Sequence, residues 1–214
     1  MFIHRRLFFG LQPATWLLAM IFCSKLLFGQ NGDYRLLRKI HVERNQNLDG
    51  FMLGVSTTEP WITMATPLFY GGAQWLMNNS EGKQKALMMV GAAAMSAGIT
   101  TILKESVRRD RPYETHADIH ALDHTGPLSF PSGHTASAFN LATSVSLACP
   151  KWYIISSMYV WAGLTGYSRM HLGVHYPSDV LAGALIGSGT ALLSNYIMQR
   201  IRDKRTVSDA RRME

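Results

Sequence analysis

The sequence predicts an all-α protein, a multi-pass transmembrane helical bundle with a core of about five to six helices. Three observations carry this. Apolar runs of helical rather than strand length recur along the 214 residues. Turn signals and charge clusters separate the runs. Glycine and alanine concentrate in Gly91 to Gly98 and Ala182 to Gly189, and small residues of this kind let neighbouring helices approach closely within a membrane. With 47% hydrophobic residues, the chain is long enough for one domain with a substantial core. Its mean hydropathy is only +0.02, because polar connections dilute the apolar runs.

Taken in order, Arg5 and Arg6 precede an apolar run from Leu7 to Phe28, and Gly29-Gln30-Asn31-Gly32-Asp33 then turns abruptly polar. Residues 1–30 therefore read as a secretory signal or a retained first transmembrane helix. Between Tyr34 and Leu48, Leu36, Leu37, Ile40 and Leu48 alternate with Arg35, Arg38, Lys39 and Arg44. That pattern fits a helix lying on the membrane surface or one packed against the bundle. Candidate spans follow at Thr57 to Met77, Ala86 to Leu103, Thr135 to Cys149, Trp152 to Tyr167 and Val180 to Met198. Several are near the minimum of about 17 residues for a bilayer crossing, so their polar ends belong to the first turn. Residues 31–199 form the main domain, 200–214 a basic tail, and Thr206 to Glu214 a frayed end.

Either reading of the N-terminus exports Asn31 to Ser56 and, after five crossings, returns the C-terminus to the cytoplasm. Eleven lysines and arginines then lie inside, against six outside once three motif cations are set aside, which favours this orientation. The net charge of +7 fits attraction to anionic lipid; no nucleic-acid motif is present. Cys23 lacks the small residues that precede a lipoprotein cysteine, and with only two cysteines no disulfide framework is implied. Asn78-Asn79-Ser80 matches a glycosylation acceptor but falls on the inner side, and carries no meaning here.

Three blocks carry chemistry: Lys104 with Arg111-Pro112; Pro131-Ser132-Gly133-His134; and Ser168-Arg169, followed by His175 and Asp179. Phosphoryl transfer needs cations and N–H donors around the equatorial oxygens, an in-line nucleophile and a proton donor for the leaving oxygen. His175 can serve as nucleophile and form a phosphohistidine. If a helix starts at Pro177, the Asp179 carboxylate can reach back to one ring nitrogen and set its tautomer. His134 can act as acid and then as base. Lys104 and Arg111 are seven apart, so a continuous helix would place them two turns apart on one face. Arg169 offers a forked contact that a lysine cannot copy. Ser132 and Gly133 open a helix whose N-terminal N–H groups attract an anion.

These blocks, in this order, resemble the type 2 phosphatidic acid phosphatase superfamily over roughly residues 48 to 198. The resemblance implies a helical phosphatase domain over 31–199 that cleaves phosphate monoesters or pyrophosphates with no metal and no cofactor. It carries over Lys104, Arg111, Ser132, Gly133, His134, Arg169, His175 and Asp179. The implied partner is a phosphorylated membrane lipid: lipid A, undecaprenyl pyrophosphate, phosphatidylglycerol phosphate or phosphatidic acid. The short chain and the N-terminal signal point to a bacterial cytoplasmic membrane, and the charge count to a site facing outward. The sequence does not give the oligomeric state.

Competing readings stand beside this one. A soluble periplasmic acid phosphatase or a vanadium haloperoxidase shares these motifs, and a noncatalytic membrane protein has a similar hydropathy profile. Arg108 and Arg109 read as a solvated helix end or as contacts to an acidic head group. His116, His120 and His124 recur every four residues and on a helix could bind zinc, although Gly126-Pro127 ends the stretch and a solvated connection is the simpler reading. His171 reads as a packing residue.

Overall fold

The computed structural model describes residues 30–123 and 126–213, with side chains over 32–123 and 126–204. The expectations for residues 1–29, including Cys23, and for His124 fall outside the described residues. Among the described residues the chain is helical, with no strand. The helices are α1 (Gln30–His41), α2 (Asp49–Leu76), α3 (Ser80–Val107), a single turn α4 (Pro112–Thr115), α5 (Gly133–Ala148), α6 (Trp152–His171) and α7 (Pro177–Met213). The last helix runs straight through residue 200 and the expected frayed end.

Sequence signals place several boundaries. Asn79 caps α3 by accepting from Gly82 N at 3.2 Å, which gives the apparent glycosylation motif a structural role. Arg108 ends α3 in the left-handed conformation, φ 47°. The helix therefore does not continue from Lys104 to Arg111, and the expected two-turn spacing on one face is corrected. The two cations meet through a turn instead. Pro177 opens α7 in the position where a missing N–H costs nothing.

The core pairing is α5 against α7, with α3, α2 and α6 packed around it. Two glycines allow it. A Cβ on Gly183 would sit 2.6 Å from Ser132 O, and one on Gly187 would sit 2.8 Å from Asn140 N. Asn140 Nδ2 adds hydrogen bonds to Gly187 O (3.3 Å) and Thr190 Oγ1 (2.9 Å). Large apolar side chains such as Trp61, Phe69, Leu76 and Trp152 point outward and are exposed, as lipid-facing residues are. The stretches Ser80–Thr115 and Pro177–Lys204 are each long and apolar enough to cross a membrane.

Helix α1 packs against α6 and α7 through Asp33, Leu37 and His41, at four-residue spacing, all buried. Leu36 and Leu48 are exposed. The polar stripe, rather than the leucine pattern of the sequence, sets which face docks. His41 Nδ1 donates to His171 O (2.8 Å), and His171 Nε2 pairs with Asp49 Oδ1 (2.8 Å), so His171 is a buried polar clamp between helices. Gly173 has φ +74°, and a Cβ there would lie 2.7 Å from the His41 ring; glycine is required on both counts.

Candidate active site

The three motif blocks converge at one end of the bundle, where α3 and α6 end and α5 and α7 begin. Ser132 N donates to the Asp179 carbonyl (3.0 Å), which ties the N-cap of α5 to the first turn of α7. Asp179 occupies the third position of that turn, and its Oδ2 accepts from Tyr176 N at 2.9 Å. The sequence Tyr-Pro-Ser-Asp thus folds its own carboxylate back over the helix start.

The Asp179 side chain is fully buried. Besides Tyr176 N, it accepts from Ser129 Oγ (2.5 Å) and Arg109 Nη1 (2.7 Å). His175 Nδ1 stands 3.5 Å from Asp179 Oδ2, an ion-pair distance without an aligned hydrogen bond. On the other side of the ring, Nε2 lies 3.1 Å from Arg111 Nη1. A guanidinium only donates, so the assigned tautomer carries its proton on Nδ1, facing Asp179, and its lone pair on Nε2.

Around this pair sit three cations. Lys104 Nζ donates to Leu128 O (2.7 Å), which uses one of three ammonium protons. Arg111 is nearly fully buried and donates to Gly126 O and Val174 O, both at 2.7 Å. Arg169 is fully buried. Its Nη1 meets Ser56 Oγ, and Asp123 Oδ2 at 2.6 Å, while its Nε and Nη2 are buried without a hydrogen-bond partner. Burying a charge is costly unless its donors are satisfied. Two unsatisfied guanidinium nitrogens side by side match the fork that binds two phosphate oxygens.

His134 stands in the second position of α5, where N–H groups lack intrahelical partners. It lies close enough to Arg169, Asp123, Arg111 and Lys104 to feel their charges. Burial, reinforced chiefly by the Arg169 charge, lowers its pKa to about 4. Burial lowers that of His175 to about 3, against the opposing pull of Asp179. Both imidazoles are therefore neutral near pH 7, the state a nitrogen nucleophile requires.

Every motif residue sits in this cluster. Several of its neighbours are not legible in the sequence: Asp123 and Ser56 on Arg169, Ser129 and Arg109 on Asp179, and Asp33 behind Arg109. All come from distant segments, and only Arg109 lies inside a motif. The expectation that Arg109 is a solvated end or meets a head group is corrected, because its guanidinium turns inward. Arg108 is exposed.

The helix on which the histidine repeat would line one face does not form among the described residues. Residues 116–123 are not helical. His116 stacks on Tyr34 at 3.9 Å, Asp118 binds Tyr34 and Arg38, and His120 is exposed.

A model of the PAP2 superfamily matches residues 85–203, more than half of the chain. The chain belongs to the PAP2 superfamily. It is 29% identical over 164 residues to the lipid A 4'-phosphatase of Bacteroides thetaiotaomicron, a match that covers 72% of this chain and 71% of that protein. To the undecaprenyl-diphosphatase BcrC of Bacillus subtilis it is 28% identical over 174 residues, covering 80% and 84%. Among solved structures, the transmembrane PAP2 type phosphatidylglycerolphosphate phosphatase of Bacillus subtilis superposes with a TM-score of 0.74 at 23% identity, over 88% of this chain and 96% of that one. The fold is that of a multi-pass transmembrane helical bundle.

Proposed function

We propose that the protein is a membrane lipid phosphatase that works without a metal, through a phosphohistidine. The observation that carries this reading is the buried Arg169 with two unpaired nitrogens beside a neutral histidine whose lone pair faces the same cluster. In the first step the substrate phosphate monoanion passes its proton to the neutral His134, His175 Nε2 attacks phosphorus, the phosphorus–oxygen bond to the lipid breaks, and the leaving oxygen takes that proton from His134. Water then attacks the phosphohistidine as His134 takes its proton. The phosphorus–nitrogen bond breaks and inorganic phosphate leaves. Lys104, Arg111, Arg169, the Ser132 hydroxyl, whose oxygen accepts from Thr135 and leaves its proton to donate, and the Gly133 N–H hold the equatorial oxygens throughout. Arg111 moves its Nη1 from the His175 lone pair to the phosphate as substrate enters.

A lipid substrate is supported by a cavity of about 580 Å³ between α2, α3 and α5. Apolar side chains including Met64, Leu68, Met89 and Val90 line it, and it reaches Gly133 at the mouth of the site. Relatives acting on lipid A and undecaprenyl diphosphate make these two the leading candidates, with phosphatidylglycerol phosphate and phosphatidic acid behind them. The excess of lysines and arginines on the inner side supports an orientation with the site on the outer face of a bacterial cytoplasmic membrane.

The test is phosphate release by detergent-solubilised protein from these four lipids, with chelator present, beside His175→Ala. Release that survives chelation and vanishes in the variant is the expected result. A variant with full activity overturns the nucleophile assignment, and loss of activity on chelation overturns the metal-free route.

A further inference from the structure

Helix α1 lies outside all three motifs, yet it reaches the catalytic pair through one side chain. Arg109 Nη1 donates to Asp179 Oδ1 and Ser178 Oγ, both at 2.7 Å, and Nη2 donates to Asp33 Oδ2 at 2.7 Å. The guanidinium carbon stands 3.8 Å above the Tyr176 ring. Asp33 is buried, and it also accepts from Ser178 N (3.0 Å) and Ser178 Oγ. It thus caps the N-terminus of α7 from a separate helix. One planar guanidinium is fixed from four directions, and two of its anchors are carboxylates that belong to different parts of the chain.

We propose that Arg109 and Asp33 are positioning residues for the hydrolysis. Arg109 holds the Asp179 carboxylate at the angle from which it orients His175, and Asp33 holds Arg109, so docking of α1 completes the catalytic pair. The inference rests on the proposed roles of His175 and Asp179. A structural tie alone does not need this geometry, since Asp179 already accepts from Tyr176 N and Ser129 Oγ. Those two donors converge on Oδ2. Without Arg109, Oδ1 has no charged partner among its hydrogen bonds, and the carboxylate is free to turn about its Cβ–Cγ bond. A lysine cannot substitute, because one ammonium on a flexible stem does not span both carboxylates while stacking on Tyr176.

The experiment compares wild type, Arg109→Lys, Asp33→Asn, Asp33→Glu and the Arg109→Lys/Asp33→Asn double variant in detergent with the fastest lipid. It reads kcat, KM and inhibition by inorganic phosphate, the product, which the cradle holds with no bond to His175. The cradle is untouched, so KM and the phosphate inhibition constant stay within about twofold. With His175 misoriented, kcat falls on the order of tenfold to a hundredfold in Arg109→Lys and Asp33→Asn. The double variant falls no further than the worse single one, and Asp33→Glu recovers part of the loss.

Parallel loss of kcat and inorganic phosphate binding would mean that the site has collapsed, and would overturn the positioning role. Full activity in Arg109→Lys and Asp33→Asn, with His175→Ala inactive, would overturn it while leaving the proposed reaction standing. An active His175→Ala would remove the reading on which the inference rests.

Discussion

Gly183 is the position where packing and catalysis are most tightly joined. In Gly183→Ala the new methyl group would lie 2.6 Å from Ser132 O, 3.1 Å from Thr135 Cβ and 3.2 Å from Ala136 N. Two of these neighbours are backbone atoms in the first turn of α5, so no side-chain rotation relieves the contact. Helix α5 must retreat from α7 by roughly 0.5–1 Å to restore ordinary van der Waals separation. Ser132 moves with it and strains its 3.0 Å bond to the Asp179 carbonyl. His134, two residues on, moves relative to His175.

Displacement of a catalytic group by about 1 Å can cost a hundredfold in rate, so kcat is expected to fall about tenfold to a hundredfold. Stability is the weaker reporter. Overpacking costs about 1–3 kcal/mol, but removing a helical glycine returns roughly 1 kcal/mol. Gly189→Ala is the control: nothing lies within 4 Å of its Cβ position, so it should keep wild-type kcat and gain slightly in thermal stability. The assay is phosphate release alongside thermal unfolding in the same detergent. A Gly183→Ala protein with kcat within twofold of wild type would refute the claim that this helix contact sets the catalytic geometry.

Two further outcomes are expected. Arg169→Lys loses the forked pair of unpaired nitrogens, and kcat/KM should fall by about 10²–10³; steady-state kinetics within tenfold of wild type would show that those nitrogens do not hold substrate. The pH profile follows from the two depressed histidines. Above about pH 4 the free site carries a neutral His134, so the proton for the leaving oxygen must arrive with the substrate as the monoanion of a phosphate monoester, whose second pKa is about 6. For such a substrate kcat/KM should be level between about pH 4 and 6 and fall about tenfold per unit above that, and a flat profile to pH 8 would contradict this route.

Much of the architecture is written locally. Helix starts at Pro177 and Gly133, the bundle class, and the residues of the three motif blocks could all be read from spacing, because each depends on a few neighbouring residues or on a chemistry that few combinations supply. The reading failed where local pattern and tertiary contact disagreed. Arg108 adopts a left-handed conformation and breaks the helix between Lys104 and Arg111, so the cations meet by a turn. The histidine repeat suggests a helical face, yet residues 116–123 leave the helix because Tyr34, Arg38 and His41 of α1 bind their side chains and backbone. In α1 the buried stripe is Asp33, Leu37 and His41, which hydrophobicity alone would not select.

The sequence by itself determined that this is an all-helical membrane bundle whose motif blocks carry three cations, two histidines and a carboxylate. Only the tertiary structure decided what each group experiences. Burial is a property of the assembled bundle, and it is burial that keeps both histidines neutral and leaves Arg169 with unpaired nitrogens. The partners that fix the carboxylate, Ser129, Arg109 and through it Asp33, come from segments up to 146 residues from Asp179 along the chain. No local signal links such residues, because hydrogen bonds across that separation exist only once the helices have packed.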